Sequence, residues 1–181
     1  AVTGMFDTAD IDTIQKLCQK EKMHLKYESI GKNESKEITK MTYEQLCSSL
    51  KKGIYQVAFS IYRQGKDWQS LSMADQGFEK PAYLYLKGDK NYLELTVREM
   101  KAMTKGGAML SGHIQTVKCR SNKDVLTDLL IQDKKIQIPF KDFEFEQLSE
   151  TEITGQIQLF MTSSVGEKRM PESMATLIVK L

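Results

Sequence analysis

Apolar positions along this chain change their spacing from stretch to stretch, and each spacing predicts an element. From Asp10 to Lys22, Ile11, Ile14, Leu17 and Cys18 recur at helical intervals among Lys and Gln, which predicts an amphipathic helix. Met23, Leu25 and Tyr27 then alternate with polar residues as a short strand, followed by a polar loop from Gly31 to Lys40. Thr42-Tyr43-Glu44-Gln45 has the form of a capping box, in which the threonine oxygen and the glutamine side chain satisfy free amides at a helix start. That helix is expected to run to about Lys52, with Leu46, Cys47 and Leu50 inward and Gly53 as a left-handed C-cap. Ile54 to Tyr62 alternates, placing Tyr55, Val57, Phe59 and Ile61 on one face of a strand.

Tyr83-Leu84-Tyr85-Leu86 and Tyr92 to Val97, joined by the polar turn Gly88-Asp89-Lys90-Asn91, read as a hairpin. A helix threaded through Leu93, Val97, Met100 and Met103 is the alternative, so the boundary near Val97 stays open. His113 to Cys119 is a strand, and Ser121-Asn122-Lys123-Asp124 is a second capping-box pattern opening a helix with Val125, Leu126, Leu129 and Leu130 inward. Lys135 to Phe140 is an edge strand, because Pro139 cannot donate to a ladder. Ile153 to Thr162, with Ile157, Leu159 and Met161 on one face, and Ala175 to Leu181, with Leu177, Val179 and Leu181, complete the set. Helices and hairpins do not alternate as strand-helix-strand units, so a doubly wound parallel sheet is disfavoured. The expected fold is α+β: an antiparallel or mixed sheet, or a sandwich, with three short helices packed on one side.

A chain of 181 residues with 40% hydrophobic and 28% charged positions has a core to bury and fits one domain spanning 1–181. The polar stretch 63–81 carries Trp68, Leu71, Met73 and Phe78, and reads as a packed internal loop rather than a tether. No apolar run approaches the roughly 18 residues of a membrane-spanning helix, and the first residues lack the pattern of a secretory signal. Cys18, Cys47 and Cys119 are odd in number and dispersed, which predicts reduced, inert thiols and a cytoplasmic location.

Candidate chemistry is sparse. His24 and His113 both fall within strands. His113 and Cys119 share a face but lie roughly 20 Å apart at about 3.3 Å per residue, so they cannot act as base and nucleophile within one strand. A dyad of His113 with Cys47 would have to form across elements. No close ligand pair begins a zinc site, so no metal and no cofactor are expected. Lys105 to Gly112 matches neither the dinucleotide fingerprint nor the P-loop, and reads as a flexible connection. Period two places the paired acids Glu144 and Glu146, and likewise Glu150 and Glu152, on a solvent face. No catalytic residue emerges, and a non-enzymatic protein is expected.

Charge segregates even though the net charge is only +2. Arg98, Lys101, Lys105, Lys118, Arg120 and Lys123 stand in a segment whose single acid is Glu99, whereas 133–152 is acidic. Either adjacent elements neutralise one another, or the basic residues form an anion-facing surface for RNA or acidic membrane. Ile114 to Asn122 ahead of an expected helix, together with Gly155 to Ser163, resembles the globular domain of rhabdovirus matrix proteins. The resemblance implies a small viral matrix-like assembly protein that self-associates and touches anionic surfaces. The sequence therefore predicts a structural or interaction protein working through a protein partner or homo-oligomer, exposed edge strands making pairing easy. The alternative is an anion-surface binding module, with RNA or acidic membrane as partner and no small-molecule cofactor.

Overall fold

The computed structural model describes residues 39–64 and 70–181. The expected helix over 10–22, the strand over 23–27, most of the loop over 31–40, and Cys18, His24 and Trp68 lie outside the described residues. Twelve strands follow in chain order: β1 (Thr39–Met41), β2 (Gly53–Arg63), β3 (Ala82–Leu86), β4 (Asn91–Thr96), β5 (Met100–Met103), β6 (Met109–Arg120), β7 (Leu126–Leu129), β8 (Lys135–Pro139), β9 (Glu144–Gln147), β10 (Ile153–Val165), β11 (Lys168–Arg169) and β12 (Ser173–Lys180). One α-helix, α1 (Tyr43–Ser49), and two 3-10 turns, Met73–Gly77 and Phe140–Asp142, complete the described elements.

The strands form a curled antiparallel sheet in the order β1-β9-β10-β12-β2-β3-β4-β8, with β6 on β10 and with β5 and β7 on β6. Two long strands organise it. β2 pairs through Gly53–Val57 with β3 and through Ala58–Arg63 with β12, so it joins the two halves. β10 carries β12 on one edge, and β9 then β6 on the other. Alternation along these strands sends Val57, Phe59, Ile61, Leu93, Leu95, Ile136, Ile138, Leu159, Leu177 and Val179 into one core. Each such side chain contributes roughly 1.5–3 kcal/mol by leaving water. Against the core, the 3-10 turn Met73–Gly77 is pinned by buried Asp75, whose Oδ1 accepts from Ile61 N–H (2.8 Å) and Lys80 Nζ (2.8 Å). In the segment after β2, Ala74, Asp75 and Phe78 are buried, whereas Leu71 and Met73 are exposed.

Several expectations change. Among the described residues the fold is mostly β, with one α-helix and two 3-10 turns, not an α+β arrangement with three helices. The capping box at α1 is present, Gln45 N–H donating to Thr42 Oγ1 (3.2 Å) and Thr42 N–H to Gln45 Oε1 (2.9 Å). The helix stops at Ser49 with an extended C-cap at Leu50, however, and Gly53 opens β2 instead of capping.

The second capping-box pattern opens no helix. Ser121 Oγ accepts from Lys123 N–H (3.3 Å) and Val125 N–H (3.2 Å), Asp124 adopts φ 62°, and the chain turns back as β7 along β6. Such side-chain bonds to nearby amides compete with helix initiation, and a left-handed residue ends it. Val125, Leu126 and Leu130, expected inward, are exposed instead. The boundary near Val97 resolves to strands, β4 then β5, and the Gly-rich connection is a tight turn in which Thr104 N–H donates to Ala108 O (2.8 Å). Glu144 is exposed but Glu146 is buried together with Phe145, so both faces of β9 are covered at this point of the strand. No described helix is long and apolar enough to cross a membrane.

Candidate functional site

Of the six basic residues, Lys118 and Arg120 lie on β6 and the others on the segments around it. Lys101 lies on β5 opposite Ser111, and Lys105 in the turn beyond, whereas Arg120 ends β6 and Lys123 follows it. Ser111 and Arg120 are roughly 30 Å apart at about 3.3 Å per residue. Arg98 Nε donates to Gln76 O (2.8 Å). Lys118 pairs with Glu172 (3.3 Å), and Arg120 with Asp124 (3.5 Å) while also lying over the Phe160 ring at 5.1 Å. The structure does not gather these residues into one surface, and the two paired acids lie outside the acidic stretch 133–152.

His113 and Cys47 do not meet. Ser164 Oγ lies 3.3 Å from His113 Nδ1, and Cys47, on α1, accepts a contact from Asn91 Nδ2 at 3.7 Å. Cys119 is fully buried, and burial, with the Asp142 charge second, pushes its thiol up to about 11. Among the described residues no group of three or more His, Cys, Asp or Glu could hold a metal.

What the fold does assemble is a groove of about 700 Å³ over β4 and β8, bounded by β7 and α1. β7 and β8 are consecutive strands that diverge, because β7 pairs with β6 and β8 with β4, and the connecting turn takes positive φ at Asp133 and Lys134. Alternation on β4 sends Leu93 and Leu95 into the core and leaves Tyr92 and Glu94 on the groove face, beside Pro139 and Gln137 of β8 by register. Tyr85 of β3 pairs opposite Tyr92, and their rings stack at 4.8 Å and 14°. The Glu94 carboxylate is 9% exposed, and its Oε1 lies 3.5 Å from both the Tyr85 hydroxyl and Lys135 Nζ. Burial, followed by the Glu94 charge, raises the Tyr85 phenol above its ordinary value.

At the other wall, the Tyr43 hydroxyl accepts from Asn91 Nδ2 (2.8 Å), which ties α1 to the β3–β4 turn. Asn91 Oδ1 in turn accepts from Lys87 N–H (2.9 Å) and Gly88 N–H (3.0 Å). Burial, with the Cys47 side chain second, raises the Tyr43 phenol too. Leu129 and Leu130 of the β7 side supply apolar surface opposite. None of this was singled out as a site by sequence reasoning. The signal available was the run of tyrosines alternating with leucines: when the leucines face a core, Tyr85 and Tyr92 must line the other side of the sheet.

No family model matches the chain, and no curated protein matches it. Among solved structures it is similar to the NEAT5 domain of IsdX2, a B. anthracis hemophore, in complex with heme, at 16% identity and a TM-score of 0.43, covering 70% of this chain and 94% of that one. A point mutant of the same domain in complex with heme gives 16% identity and a TM-score of 0.44, covering 71% and 94%. The expectations of self-association, of an anion surface for RNA or acidic membrane, and of a protein partner with no small-molecule cofactor are corrected. The geometry supplies the physical reasons. The basic residues are dispersed, and the outermost described strands, β1, β5, β7, β8 and β11, hold two to five residues each, too short to template much pairing.

Proposed function

We propose that this chain is a non-enzymatic small-molecule-binding module whose ligand occupies the groove between β4, β8, β7 and α1. The observation that supports this reading is the groove itself: about 700 Å³, in which Tyr43, Tyr92, Leu129, Leu130 and Pro139 supply apolar surface among polar and charged side chains that include the nearly buried Glu94 carboxylate. Ligand pockets usually measure about 300–1,000 Å³ and combine an apolar lining with a small number of placed polar atoms. Absence of a base–nucleophile pair among the groove residues favours binding over catalysis.

The test is a two-dimensional amide NMR titration with a panel of small molecules that includes heme, the ligand of the IsdX2 domain. Binding should perturb the amides of Asn91, Tyr92, Leu129 and Gln137. A Gln137→Trp variant, which fills the groove from an exposed position, should abolish the perturbation while its melting curve stays unchanged. If no compound perturbs these amides, or if Gln137→Trp binds as well as wild type, the reading is wrong.

A further inference from the structure

We infer that the groove selects organic cations, binding an ammonium group, primary or methylated, with its charge against Glu94 and its carbons against Tyr92. This rests on the groove being the ligand site and names the chemistry of what enters it. Glu94 is the deepest polar group on the groove face, 9% exposed, and both of its closest contacts, Tyr85 hydroxyl and Lys135 Nζ, stand at 3.5 Å from the same oxygen. Charge-assisted hydrogen bonds close to about 2.7–2.9 Å, so both contacts are long and a shorter one can replace them. Lys135 is 53% exposed and can leave for solvent at little cost. A compact ammonium entering the groove can take its place at shorter range.

The aromatic wall points the same way. Lys87 Nζ lies 5.5 Å from the centroids of both Tyr85 and Tyr92, and Lys90 Nζ lies 5.9 Å from Tyr92. Cations are attracted to ring faces within about 6 Å, and aromatic walls with a nearby carboxylate are how proteins hold substituted ammonium ligands. The protein's own ammonium groups already occupy the positions a ligand's would. Both lysines are exposed, so they act as mobile competitors and not as structural members. Overall charge agrees: the groove is lined by Asp89, Glu94, Asp128 and Asp133 against Lys90, Lys135 and Lys141, four acids to three bases. An anionic ligand gains nothing from that balance, and a cation does.

The experiment compares three probes sharing a benzyl or phenyl ring, titrated into the chain by NMR: benzyltrimethylammonium, benzyl alcohol and benzoate. The ammonium is expected to perturb the Tyr92, Glu94 and Gln137 amides and to bind roughly tenfold or more tightly than the alcohol, the equivalent of one good charged contact. Glu94→Gln should erase that preference, whereas Lys90→Met, at an exposed position, should strengthen ammonium binding by removing the competitor. Equal binding of ammonium and alcohol, or a preference that survives Glu94→Gln in a folded variant, overturns the inference. An unchanged or weakened affinity in Lys90→Met also counts against it. Should none of the three probes touch the groove while heme or another panel compound does, the cation inference fails and the groove reading stands. Should nothing bind there at all, both fail.

Discussion

Cys119 illustrates how a single buried residue ties pH to stability. It lies on β6 opposite Leu159 of β10, with no exposed surface, and Asp142 contributes a nearby negative charge. Both effects disfavour the thiolate, burial more than charge, so the thiol stays protonated in the folded state up to about 11 against an ordinary value of 9.0. The unfolded chain, by contrast, releases that proton first. Stability from this group is therefore fully present below the ordinary value and is lost as pH rises from 9.0 to about 11. Urea midpoints measured across that window should fall for the wild type more steeply than for Cys119→Ala, which starts lower because of its cavity but lacks the titrating group. Parallel curves would show that Cys119 ionises as freely folded as unfolded. Native thiol labelling of Cys119 at neutral pH should likewise be slow, since a protonated, enclosed sulfur is a poor nucleophile.

Among the elements, β12 has the most to lose. It sits between β10 and β2, pairing along Thr154–Met161 on one side and Ala58–Arg63 on the other, and Ala175 through Val179 are all buried. A chain ending at Ser173 loses Leu177, Ile178 and Val179, each worth roughly 1.5–3 kcal/mol by burial. Its removal also leaves two interior strands with open edges. That truncated chain should fail to melt cooperatively, and a sharp transition within a degree or two of the full chain would mean the strand is dispensable.

The alternation of Leu177, Val179 and Leu181 made this strand legible in the sequence, although Ala175 to Val179 are all buried, and alternation likewise marked β2 and β10. The capping box at Thr42 was legible too. The similar pattern at Ser121 misled, because one serine oxygen can serve either a helix start or a turn, and only Asp124's left-handed backbone and the pairing partner β6 decide which. Glu146 misled for a different reason: an alternating strand reads as half-exposed in sequence even where both its faces are covered, as they are at Phe145 and Glu146. The groove lay further from view, since Glu94, Lys135 and Tyr43 come from separate segments that meet only after β7 and β8 diverge.

At the scale of the whole molecule, the question is whether two half-sheets behave as one body. β3, β4 and β8 form one side and β10, β6 and β9 the other, and the chain connects them through the eleven-residue β2, whose first half pairs with β3 and whose second half pairs with β12. Just past that junction sits Phe59, 3% exposed, paired with Val179 and capped by Lys80 Nζ 4.7 Å from its ring centroid. The core is continuous across the joint, since Val57, Leu84 and Leu93 belong to the same buried cluster as Leu159 and Leu177. Continuity of this kind predicts one cooperative unit, for opening either half would expose the other's face to water. Phe59→Ala should then cost about 3–5 kcal/mol, a large share of the roughly 5–15 kcal/mol typical of a domain. That loss should appear equally on both sides of β2. Native-state hydrogen exchange reads this directly: the amides of Leu93 and Leu95 on β4 and of Leu159 and Met161 on β10 should lose the same protection free energy in the variant. If only the β10 amides lose protection while those of β4 exchange as in the wild type, the halves are separate folding units and the chain is better divided at β2 than treated as one domain.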